Sequence, residues 1–443
     1  MDFQMLYDEK LITVEEAAGK VKSGDWVEYG WSMLTPYDFD QALAKRVGEL
    51  EDVKIRGGVM PFAPEAVLQS ENNEVYLNSW HASGLERKLI NAGKGFYASI
   101  RYSELPRYIR ENTEVNVGVL PVTPMDKHGN FNFGLSASHF RAIIEKAEIL
   151  ILEINKNIPR ALGGYDNFIN IKDVDFVFEG SNYPMFTIPK AKFGDVEEKV
   201  AEYVVNELVD GATLQIGIGS LPSAIGSLIG KSDLKDLGVH TEMYVDSFVE
   251  LSKLGKITGN KKNINPRRQT YAFAAGTQEL YDFIDDNEEL MAAPVDYVND
   301  VSVCAAHDNF MSINSALEVD LYGQVSSETA GLRHISGAGG ALDFCMGAYK
   351  SKGGKSFMTL LSSRVDKEGV RHSNIVPTLK PGTQATATRA NTNYVVTEQG
   401  IVNLKGKSQW ERTELLISIA HPDLREDLIK QAEANGIWRK SNK

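Results

Sequence analysis

What most constrains this chain is alternation. Short β-prone runs and helix-forming stretches take turns: Trp26 to Tyr29, a helical stretch from Pro36 to Leu50, Val53 to Arg56, a helical patch at Pro64 to Gln69, then Val75 to Trp80. Further strand candidates follow at Gly95 to Ile100, Val115 to Val122 and Ile149 to Ile154. Such alternation predicts a mostly parallel sheet covered by helices. Thr13 before Val14-Glu15-Glu16 predicts a helix cap within an amphipathic segment over 10–23, and Ser138 a cap for a helix over 136–146. A proline-bearing connector, Tyr183 to Phe193, then interrupts the pattern, and at Asp195 a helix begins with Val196, Val200, Val204 and Leu208 at helical spacing. Strand candidates resume at Leu214 to Ile218, Val239 to Glu242, Thr270 to Ala275, Phe310 to Asn314 and Phe357 to Leu361. At 443 residues the chain exceeds one ordinary core. The expectation is α/β: two tandem open α/β domains, 1–190 and 191–443, with the active site between them.

Charge narrows the partners. A net charge of -13 excludes nucleic acid and anionic membrane as main partners, because both demand a basic surface. No apolar run approaches the length of a membrane span, and the first nine residues lack the regions of a signal peptide, so a cytoplasmic protein is expected. The two cysteines, Cys304 and Cys345, sit among small or apolar residues and read as buried hydrophobes.

The stretch Gly211 to Asp246 gathers the chemistry. It reads as strand, glycine turn, helix, strand, acid: Gly217-Ile218-Gly219 breaks the first strand, Ser220-Leu221-Pro222 opens a helix, and Glu242 arrives at the end of the second strand. The turn resembles a dinucleotide fingerprint whose third glycine is replaced by Pro222, and it predicts a backbone that approaches an anionic ligand closely. A second cluster, Ser336-Gly337-Ala338-Gly339-Gly340-Ala341, leaves its backbone accessible and can serve as an oxyanion hole or as a plain surface loop. Asn314, between two strand-like runs, can donate to a carbonyl oxygen or cap its own turn. Gly353-Gly354-Lys355-Ser356 is not a P-loop, since Tyr349 stands where the first glycine belongs and a strand, not a helix, follows. His240, Glu242, Asp246, His307 and Asp308 offer ligand-type side chains, but no metal-binding spacing joins them, and no metal is expected.

Taken together, GIGSLP, GVHTEMYVD, MSINSALEVDLYGQVSSE, SGAGGALDF, KGGKSF, YVVTEQGIVNLKGKS and ERTELLISIAHPDLRE, with PVTPMDKHGNFNFGLS in the first half, resemble the coenzyme A transferases of the acetyl-CoA hydrolase/transferase family. The resemblance spans nearly the whole chain. It implies tandem domains of related fold and a nucleophilic glutamate at Glu242. It also implies CoA contacts at Gly217, Ile218, Gly219, Ser220 and Leu221, and positions facing the thioester at Asn314, Leu317, Gly339 and Gly340. The implied substrates are butyryl-CoA and acetate, exchanged by a ping-pong route through a glutamyl-CoA thioester with no metal or redox cofactor. A 4-hydroxybutyrate transferase and a thioester hydrolase on the same fold are the alternatives, and a homo-oligomer is the base expectation.

Overall fold

The computed structural model describes residues 2–439, which divide into two units. The first holds the chain up to Pro189 together with Glu242–Asp246 and Arg268–Val298; the second holds Lys190–Thr241, Ser247–Arg267 and Asn299 onward. The sequence expectation places residues 191–443 in one domain. In the structure two of its segments, one of them beginning at Glu242, fold with the first unit.

In the first unit the described residues up to Pro189 form nine strands: β1 (Trp26–Glu28), β2 (Val53–Gly58), β3 (Val75–His81), β4 (Gly95–Tyr97), β5 (Val117–Val122), β6 (Asn130–Asn132), β7 (Ile149–Ile154), β8 (Phe168–Asn170) and β9 (Phe176–Glu179). Seven form a parallel sheet in the order β4-β3-β2-β1-β5-β7-β9, while β6 and β8 make a separate antiparallel pair. β5, Val-Gly-Val-Leu-Pro-Val, is buried along its whole length, as a strand covered on both faces must be. Strand order reverses between β1 and β5, and ligands of open α/β sheets bind outside the carboxyl ends of strands at such a reversal.

The second unit repeats this pattern. Its strands include β10 (Thr213–Ile216), the start of β11 (Gly238–Tyr244) and, after β12 (Gln269–Ala274) and β13 (Leu290–Ala292) of the first unit, β14 (Phe310–Ser315). The order runs β11-β10-β14, then Lys355–Thr359, Tyr394–Thr397 and Gly400–Asn403, parallel except for the last strand. The reversal falls between β10 and β14, where Gln215 pairs with Ser312 and Ile216 with Ile313.

Two local expectations change. Thr13 does cap a helix, forming a reciprocal capping box with Glu16, but that helix is Val14–Ala18, and a separate helix, Phe3–Lys10, precedes it under an Asp2 cap. Ser138 caps nothing: the helix begins at Phe140, and the Ser138 hydroxyl is bonded elsewhere.

Candidate active site

The Gly217 turn leaves β10 at the reversal in the second unit. The Gly217 N–H still donates to Ile313 O at 3.1 Å, and Gly219 then takes φ +113° and ψ -175°, a conformation open essentially to glycine alone. Helix Ser220–Lys231 starts there with no side chain capping its first turn, so its free N–H groups and positive dipole end are available to an anion. Ile218, at the apex, is 56% exposed, while Leu221 turns inward. A β-carbon placed on Gly217 would lie 3.9 Å from Asn314 Oδ1, so the structure brings these two predicted positions together.

Asn314 is held by its neighbours. Its Nδ2 donates to Gln215 Oε1 at 3.1 Å and to Ser312 Oγ at 2.9 Å, and Gln215 Nε2 returns a bond to Asn314 Oδ1 at 3.2 Å. Both amide hydrogens are thus engaged, and donation to a substrate carbonyl requires one of these bonds to be exchanged. Leu317 follows three residues later, half-buried, its N–H donating to Ser326 O at 2.8 Å. Gly339, at φ +52°, and Gly340 open helix Ala341–Lys350, again without a side-chain cap.

Glu242 lies within β11, two residues before its end, half-buried between buried Thr241 and Met243. Asp246 is structural: its carboxylate accepts from the backbone N–H of Thr277 at 3.2 Å and from the Thr277 hydroxyl. Among the described residues no group of three His, Cys, Asp or Glu is arranged to hold a metal ion. Asp308 instead approaches Lys352 at 3.8 Å, and the buried His240 and His307 rings pack 5.1 Å apart.

The first unit contains a polar chain that sequence reasoning missed. β1 leads at its reversal point to Trp31, which lies so close to β2 that a β-carbon on Gly58 would meet the indole ring at 2.6 Å. Trp31 stacks on Tyr102 at 4.8 Å and meets His139 and Phe273 edge-on at 5.3 and 6.0 Å. Inside this aromatic box the Tyr102 hydroxyl is hydrogen-bonded to Ser138 Oγ, which contacts His139 Nδ1 at 2.8 Å. Burial pushes the Tyr102 phenol well up, and the Glu242 charge adds to the effect, so the phenol keeps its proton. Burial alone lowers His139 to about 3, so its ring is neutral. Ser138 holds φ +36°, a costly conformation fixed by bonds from its N–H to Ala272 O (3.1 Å) and from Val295 N–H to its carbonyl (2.8 Å). Apart from the adjacent Ser138 and His139, the contributing residues lie far apart along the chain, and no spacing rule links them.

Residues 1–189 match the acetyl-CoA hydrolase/transferase N-terminal domain, and residues 276–432 the C-terminal domain of the same family. Over 446 aligned residues the chain is 54% identical to the butyryl-CoA:acetate CoA-transferase of Anaerostipes caccae, with 100% of each covered. It is 50% identical to the probable butyrate:acetyl-CoA coenzyme A-transferase of Syntrophomonas wolfei, covering 99% of this chain and 98% of the relative. The crystal structure of RipA from Yersinia pestis matches with a TM-score of 0.90 at 33% identity, covering 99% of this chain and 100% of that one. Both family domains in their proper order, and relatives aligned from end to end, place this chain in the acetyl-CoA hydrolase/transferase family.

Proposed function

We propose that the protein transfers CoA between butyryl-CoA and acetate, with Glu242 as the nucleophile. The observation that carries this reading is the end-to-end 54% identity to a relative named for that exchange. The Glu242 carboxylate attacks the thioester carbonyl, giving a butyryl-glutamyl anhydride and CoA thiolate. The thiolate attacks the glutamyl carbonyl, which releases butyrate and leaves glutamyl-CoA. Acetate then attacks that thioester to form acetyl-glutamyl anhydride, and the returning thiolate takes the acetyl group as acetyl-CoA and frees the Glu242 carboxylate. No atom changes oxidation state, so no redox cofactor is required.

Two oxyanions develop, one on the acyl carbonyl and one on the glutamyl carbonyl. Backbone N–H groups at the Gly339-Gly340 helix start and the Asn314 amide, once it exchanges its bond to Ser312, are the proposed donors, each worth about 3 kcal/mol in the transition state. The Gly217 to Leu221 turn and Leu317 are proposed to contact CoA, whose binding away from the reacting bond helps position the thioester.

Intact mass before and after butyryl-CoA is added without an acceptor tests the assignment. A CoA adduct should form on the wild type, vanish on addition of acetate as acetyl-CoA appears, and never form on Glu242→Ala. Glu242→Gln should lower kcat on the order of 10⁴-fold or more; near-normal exchange by that variant would sink the proposal.

A further inference from the structure

A buried carboxamide stands in the second unit where a covered strand ordinarily carries an apolar side chain. β10 reads Thr-Leu-Gln-Ile and is buried along its whole length. Gln215 is 3% exposed, and Ser312, its pairing partner on β14, is fully buried. Paired positions in a parallel sheet share a face, as do positions two apart on one strand, so Gln215, Ser312 and Asn314 stand on the same side. Burying a carboxamide is costly unless its polar atoms are bonded. Here they are: Gln215 Oε1 accepts from Ser312 Oγ at 2.8 Å and from Asn314 Nδ2 at 3.1 Å, and Gln215 Nε2 donates to Asn314 Oδ1 at 3.2 Å. The two amides therefore meet head to head, each donating to the other's oxygen. Ser312 closes the triangle by accepting the remaining Asn314 hydrogen at 2.9 Å.

The bonds that hold Asn314 are unequal. Turning its amide away from Gln215 breaks both bonds of the reciprocal pair and strips a buried nitrogen of its acceptor. Turning one N–H away from Ser312 breaks a single bond, and the Ser312 hydroxyl keeps its own bond to Gln215. We propose that Gln215 is a positioning residue for Asn314: by gripping both ends of its amide, it fixes the plane in which one N–H passes from Ser312 Oγ to the oxyanion during transfer. The proposal rests on the reading of Asn314 as an oxyanion donor. Without this grip the Asn314 amide rotates about its own side-chain torsions and has to be aimed again in each turnover. A donor already aimed before charge develops avoids that reorganisation.

The test is a double-mutant cycle in the full chain: wild type, Gln215→Leu, Asn314→Ala and the two combined. Asn314→Ala should lower kcat on the order of 10²-fold. Gln215→Leu should lower kcat about tenfold with KM for butyryl-CoA little changed, and it should add nothing to Asn314→Ala, because a residue that acts through another has no effect once the other is gone. Gln215→Glu keeps the shape of the side chain and decides the matter where Gln215→Leu is unstable. Its protonated carboxyl reproduces both halves of the amide pair, whereas the ionised form presents an oxygen to Asn314 Oδ1. Its kcat relative to wild type should therefore recover as pH falls through the titration of the introduced carboxyl, which burial raises. Unchanged kcat in Gln215→Leu, an equal loss from it with and without Asn314, or a Gln215→Glu ratio that does not vary with pH overturns the positioning role alone. Normal kcat in Asn314→Ala overturns the oxyanion reading, and this proposal with it.

Discussion

At the scale of single residues, buried carboxylates tie the first unit to pH. Asp40, inside helix Tyr37–Ala44, accepts from the N–H of Glu65 at 2.6 Å and from the Tyr29 hydroxyl at 3.2 Å, yet burial outweighs those bonds and raises it to about 7. Glu153, in β7, accepts from Phe39 N–H and the Tyr183 hydroxyl, each at 3.0 Å, and burial carries it to about 8. Acids whose folded pKa lies above the unfolded value hold protons that the unfolded chain has lost, so their contribution is full below pH 4 and fades as pH rises to 7 or 8. Buried His139, lowered to about 3, works in the opposite sense: its contribution is full above about 6.5 and fades as pH falls toward 3. The two trends oppose each other between pH 4 and 6.5, so the carboxylate effect is read as a difference. Asp40→Asn should lose the part of the slope that Asp40 supplies. Relative to wild type its stability should rise by up to about 1.4 kcal/mol per pH unit between pH 4 and 7. Chemical denaturation of both proteins at half-unit steps measures this directly, and a constant difference across that range would refute the assignment.

At the scale of elements, the turn into helix Ser220–Lys231 is the most exacting. Gly219 at φ +113° and ψ -175° leaves no relaxed conformation for a side chain, although space is open around it, the nearest atom to an added β-carbon being Pro222 Cδ at 4.0 Å. Gly219→Ala should therefore cost about 1–3 kcal/mol of local backbone energy. The turn relieves this by reshaping, so KM for butyryl-CoA should rise several-fold while the melting temperature falls only slightly; steady-state kinetics beside a melting curve would separate the two. Most of this element was legible beforehand, because β-prone residues, a Gly-x-Gly break and Pro222 in the first turn each dictate backbone geometry locally. The strands were legible for a similar reason: Ile149 to Ile154 has no other stable use than a strand covered on both faces. What was not legible is set by distance. Ser138 has the composition of a cap, but Tyr102 and His139 take its hydroxyl, and no local pattern records that 36 residues separate two hydrogen-bonded groups. Helix Phe3–Lys10 was missed because its apolar residues trace no clean face. The lock on Asn314 by Gln215 appears only once β10 and β14 lie side by side.

For the molecule as a whole, each unit reverses its strand order once, at β1/β5 in one and β10/β14 in the other, and the positions read from the sequence are distributed over both: Glu242 in the first, and Gly217, Asn314 and Gly340 in the second. The proposed turnover requires one carboxylate to pass an oxygen through the protein, and that transit can be followed. When acetate attacks glutamyl-CoA, one of its oxygens becomes the bridge of the anhydride; the thiolate then removes the acetyl group and leaves that oxygen on Glu242. In the next cycle Glu242 attacks butyryl-CoA, and cleavage on the glutamyl side releases butyrate with an oxygen drawn from the glutamate. At steady state the flow into Glu242 equals the flow out. With acetate labelled in both oxygens by ¹⁸O and butyryl-CoA in unlabelled water, each butyrate released should therefore carry a single acetate oxygen, measured by its mass. A hydrolase would instead place solvent oxygen in butyrate and ignore the acetate label, and a direct transfer that bypassed Glu242 would leave the glutamate unlabelled when the protein is digested after many turnovers. Label in both butyrate and the peptide bearing Glu242 is the outcome expected of this chain.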